Sequence, residues 1–125
     1  MQSFVIEGRL VNLNDYQYAC RSHYMVGNKM KKNEQTKVKQ AIVCSNLKPI
    51  ENYPVKIKYH FFEENRKRDL DNVAAMAHKI IQDSLVSMEI LENDGWKQVK
   101  GFEDEFDVDK DNPRIIVEIY EKDEY

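Results

Sequence analysis

Paired cysteines are missing from this chain. Cys20 and Cys44 are isolated, with no CxxC partner and no secretory context, which argues against a disulfide framework and leaves both as free thiols. His23, His60 and His78 lack metal-ligand spacing, which argues against zinc. No apolar run approaches the roughly 18 residues of a membrane helix. The start, Met1-Gln2-Ser3-Phe4-Val5-Ile6-Glu7, has neither the basic nor the apolar region of a signal peptide, so a cytoplasmic, membrane-free protein is expected. Repeats, linkers and low-complexity segments are absent too. The 125 residues, 42% of them apolar, therefore read as one domain with a real core.

A uniformly basic surface is also lacking, since the net charge is −3. Its distribution is more informative. Residues 1–68 hold 13 Lys and Arg against 6 Asp and Glu, while residues 69–125 hold 6 against 16. A basic face opposite an acidic one remains open, and phosphate binding depends on the local field.

The two regimes meet at Arg66-Lys67-Arg68-Asp69-Leu70-Asp71-Asn72. Beyond it Leu70, Val73, Ala74, Ala77, Ile81, Ser84, Leu85 and Met88 recur at helical spacing, with Asp69 as the natural N-cap. Two carboxylates two apart inside a helix would point about 200° from each other. Asp69 must therefore end an extended approach and Asp71 sit in the first turn if both are to face one cation. The positive end of the helix suits them there. A third carboxylate, Asp94 in Glu92-Asn93-Asp94-Gly95-Trp96, could return beside them if the chain runs back along the helix. Cap and turn roles would explain each carboxylate singly. A cation cluster beside two or three carboxylates instead suits metal-assisted chemistry on phosphates.

In chain order, Phe4, Ile6, Gly8 and Leu10 predict a first strand, and Asn14 caps a short helix with Gln17 as its capping-box partner. A helix over about 30–45 carries Lys29, Lys31, Lys32, Lys37 and Lys39 against only Glu34. Such a run is either a solvated face or a DNA contact, and the charge asymmetry favours DNA. Tyr18 and Tyr24 nearby could stack on bases or pack. Val55 to Phe62 alternate as the clearest strand, delivering the chain into the cations. Residues 96–102 predict a short strand and 115–120 a last one. The acidic 103–109 stretch lacks the Gly and closing Glu of an EF-hand loop and is expected to be an exposed, DNA-averse turn. This order predicts an α+β domain: a mixed or antiparallel sheet of about four strands with helices packed on it.

Arg68-Asp69-Leu70-Asp71-Asn72 with the later Asn93-Asp94 resembles the RusA family of Holliday junction resolvases. Leu13-Asn14-Asp15-Tyr16, the Gly27 to Lys32 run and Asp109 to Arg114 look like its phage-type branch. The resemblance spans nearly the whole chain. It implies a RusA-like fold and a crossover junction endodeoxyribonuclease of recombination and repair, in a bacterial or phage-infected cell. It also implies that Asp69, Asp71 and Asp94 are metal-binding catalytic residues for Mg²⁺ or Mn²⁺. Arg66, Lys67 and Arg68 would position the cut strand, and Lys29, Lys31, Lys32, Lys37 and Lys39 would hold an arm of a four-way junction. Paired symmetric nicks imply a homodimer. Two departures stand out: Asn93 replaces a frequent Asp, and Ala75 replaces a frequent lysine, for which Lys79 one turn on is the substitute. The alternative is a module that binds branched DNA without cutting it.

Overall fold

The computed structural model describes residues 1–125. The chain runs β1 (Gln2–Glu7), α1 (Leu13–Ser22), α2 (Tyr24–Ser45), β2 (Val55–Glu63), α3 (Leu70–Ser87), β3 (Val99–Val108) and β4 (Arg114–Tyr120). The fold is α+β, a mixed four-stranded sheet in the order β1-β4-β2-β3 with three helices packed on it. β4 pairs antiparallel with both β1 and β2. β2 and β3 are parallel, which requires a crossover, and α3 supplies it. No helix is long and apolar enough to cross a membrane.

Period-two alternation decides which sheet face is buried. Val55, Ile57, Tyr59 and Phe61 of β2, Ile115, Val117 and Ile119 of β4, and Phe4 and Ile6 of β1 point into the core. Helix α3 answers with Val73, Ala77, Ile80, Ile81 and Leu85, and α2 with Val38 and Ile42. The Tyr59 ring is fully buried and its hydroxyl accepts a bond from Gln82 Nε2 at 3.2 Å. Burial pushes that phenol far above its ordinary pKa, so it stays neutral.

Several elements differ from expectation. β1 stops at Glu7 because Gly8 takes φ +81°, and Leu10 reaches the core from the connection that follows. Asn12, not Asn14, caps α1, its Oδ1 accepting from the Asp15 N–H at 2.8 Å. α2 begins at Tyr24, well before residue 30, since His23 Nδ1 accepts from the Met25 N–H at 3.1 Å and caps it. The acidic stretch is not a turn. It is most of β3, with Asp104 and Phe106 alternating against Glu103, Glu105 and Asp107. Its side chains meet partners from neighbouring elements: Lys58 lies 3.1 Å from Glu105, His60 2.6 Å from Asp107 and His78 2.7 Å from Asp104.

Candidate metal and nucleic-acid site

β2 ends at Glu63, and five residues separate it from Asp69. Glu63 is buried there with a purpose. Arg68 grips its carboxylate with Nε at 2.8 Å and a terminal nitrogen at 2.9 Å, and donates a third bond to the Leu10 carbonyl at 2.7 Å. This two-pronged ion pair joins the end of β2, the approach to α1 and the start of α3. Arg68 is thereby committed to the protein, whereas Arg66 and Lys67 are exposed. Those two are the cations left for a phosphate.

Asp69 has φ −68° and ψ 139°, an extended residue at the N-cap position, and Asp71 lies in the first turn. That is the geometry the paired carboxylates need to face one ion. Asp69 makes no side-chain cap bond, so the simplest structural role for it is unfilled. Both aspartates are exposed. An open cleft of about 490 Å³ beside Asp69 is lined by Asn65, Arg66, Leu70 and Phe106, among others, and Asp71 is not part of its lining. Asp107, which sequence reasoning puts in a turn, also lines it, but His60 Nε2 holds its carboxylate at 2.6 Å. The signal for a strand was there in the Phe102, Phe106 alternation, which marks 102–108 as strand and carries Asp107 to the end of β2.

Asp94 does not join Asp69 and Asp71 within the chain. β3 does return along α3, but it begins at Val99, opposite Val55 at the start of β2, and reaches Val108 opposite Glu63. Asp94 precedes that strand and so stays at the far end of α3, about 27 Å away for an 18-residue helix. It is half-buried beside Gly95, Trp96, Val99 and Phe102. No three His, Cys, Asp or Glu side chains of one chain are grouped to hold a metal ion.

Lys79 also stands off, paired with Asp83 at 3.3 Å two turns along α3 from Asp71. Of the α2 lysines, Lys31 bonds Asp83 at 3.4 Å and Lys37 bonds Glu34 at 3.0 Å. Lys29, Lys32 and Lys39 instead fall within about 80° of helix circumference, opposite the buried Gly27, Glu34, Val38 and Ile42. They make one basic stripe toward solvent.

β3 is an edge strand, ten residues long. Exposed apolar side chains gather on it and around it: Leu70, Trp96, Phe102 and Val108. Charged side chains share that edge, among them Lys100, Glu103 and Glu105. No protein-family model matches the chain, and no curated protein matches it.

Proposed function

We propose that this chain is a Mg²⁺-dependent, structure-selective endonuclease that cuts four-way DNA junctions as a two-fold dimer. The observation that carries the reading is the start of α3. Two exposed aspartates stand there with the backbone geometry to converge, one of them outside any cap bond, beside two exposed cations. Carboxylate oxygens with remaining positions for water fit Mg²⁺ or Mn²⁺, and Asp69 and Asp71 would hold it. When bound, such an ion activates water and stabilises charge on phosphorus and on the leaving oxygen. Arg66 and Lys67 would hold the scissile phosphate in line, while the Arg68 clamp on Glu63 fixes the approach that aims Asp69.

Asp94 is too far from this pair to join it within one chain, so it would have to come from a partner. Two β3 edges meeting antiparallel across a two-fold axis would set Val99 of one protomer opposite the partner's Val108. Asp94, just ahead of Val99, would then stand beside the partner's cleft, where Asp69 lies. The same contact would bury Phe102 and Val108. One operation would thus supply a third ligand, cover the edge and space two sites for symmetric nicks, at the cost of setting Glu103 opposite the partner's Asp104.

A second reading, a module that binds branched DNA without cutting it, is favoured by the lack of a three-carboxylate group in one chain and by Ala75. Incubation with a labelled four-way junction and Mg²⁺ separates the two. The nuclease reading predicts paired nicks and a particle of twice 14.9 kDa by light scattering. A monomer that shifts junctions without cutting them supports the second.

A further inference from the structure

The most exposed tyrosines flank one corner. Tyr18 near the end of α1 and Tyr24 at the start of α2 are 73% and 68% exposed, with Met25 and Val26 exposed beside them. The His23 ring lies against Tyr24, centroids 4.8 Å apart and planes 22° from parallel. This corner is held firmly. Gly27 packs so closely on α1 that a Cβ there would lie 2.3 Å from Cys20 Sγ, and His23 is fixed by its cap bond to Met25. Exposing aromatic rings on a rigid corner costs hydration free energy that packing them would recover. Nothing in the fold uses them.

Charge narrows what they could meet. From Tyr16 to Asn33 there is no Asp or Glu, and Arg21, Lys29, Lys31 and Lys32 lie in that span. An aromatic tip on a base of cations suits a polyanion that also offers flat π-faces, which is nucleic acid. The open form of a branched junction provides such faces cheaply, because bases at its crossover lack a stacking neighbour on one side.

We infer that the stacked His23–Tyr24 tip is a base-stacking platform for unstacked nucleobases at the branch point of a DNA junction. The inference rests on the junction reading proposed above and adds the residues that select branched DNA over duplex. α1 starts beside the Leu10–Arg68 contact and is about 15 Å long, so the tip lies roughly four nucleotide steps from the start of α3. The lysine stripe of α2 runs from the tip along the phosphates, and those contacts carry no preference for a branch.

The test uses the full-length chain and a four-way junction with 2-aminopurine at the crossover, beside a plain duplex of the same sequence. Tyr24→Ala should weaken junction binding about five- to a hundredfold and abolish the 2-aminopurine fluorescence change. Duplex binding and the melting temperature should not move, and Tyr24→Trp should restore junction binding. Parental binding and fluorescence in Tyr24→Ala overturn the platform. If such a variant still cuts junctions, only the platform falls; a parent chain that binds no DNA overturns the platform and the nuclease reading together. Loss of self-association instead of junction binding would make the tip a protein contact and overturn the inference.

Discussion

Two acidic regions of this molecule carry similar residues in opposite circumstances. Along β3, Asp104, Glu105 and Asp107 each meet a cation or an imidazole from a neighbouring element. At the start of α3, Asp69 and Asp71 are exposed, and Asp69 lacks even the cap bond its position invites. Carboxylates that are answered within the fold serve the fold. Those left unanswered next to spare cations are the ones available for an ion or a phosphate, and acidity alone does not tell the two kinds apart.

Substitution in both regions separates the two kinds of carboxylate. Asp69→Asn or Asp71→Asn should lower junction cleavage about a thousandfold or more, because a neutral amide holds Mg²⁺ poorly. Junction binding by band shift and the melting curve should stay parental. Equal cleavage by either variant would remove that residue from the site.

The cations divide in the same way, with a smaller effect. Arg68→Ala leaves the buried Glu63 carboxylate with only the longer 3.9 Å contact to Arg9 and should cost about 3 kcal/mol in urea unfolding. Arg66→Ala or Lys67→Ala should leave unfolding unchanged, yet weaken DNA binding several-fold and flatten its salt dependence. An Arg66 variant that unfolds early, or an Arg68 variant that does not, would reverse their roles.

On β3 the effects should be small. Asp104→Asn, which keeps shape and one acceptor for His78, should change stability by less than about 1 kcal/mol and leave cleavage alone. The smallest effect concerns Asp109, whose carboxyl is held below its usual range chiefly by the Arg114 guanidinium, 2.8 Å away. Because its folded pKa is depressed, its contribution is complete above the ordinary aspartate range and lost as pH falls through the lowered value. Asp109→Asn should therefore melt below the parent at neutral pH, with the difference closing as pH falls into the acid range, as read from melting temperatures across a pH series.

Much of this was legible in the residues. The alternation of Val55 to Phe61 and the helical spacing from Val73 to Leu85 gave the central strand, the crossover helix and the extended Asp69 ahead of it. Local pattern failed where tertiary partners decide. Residues 103–107 look like a turn until His60, Lys58 and His78 are brought beside them, and Arg68 looks like a DNA contact until Glu63 takes it. The return strand runs in the direction Asp94 would need, but it begins only at Val99, beyond that residue. Register lies in pairing between distant segments, and so does the far position of Asp94.

The central claim is that Asp94 of one protomer serves Asp69 and Asp71 of the other. Mixing Asp69→Asn with Asp94→Asn protein, each inactive alone, tests it directly. In a shared site the mixed dimer contains one centre with both lesions and one with neither, so random exchange should restore roughly a quarter of parental centres. These should yield single nicks in a four-way junction without paired cuts. A mixture as inactive as its components, with exchange verified by mass, would contradict the shared site.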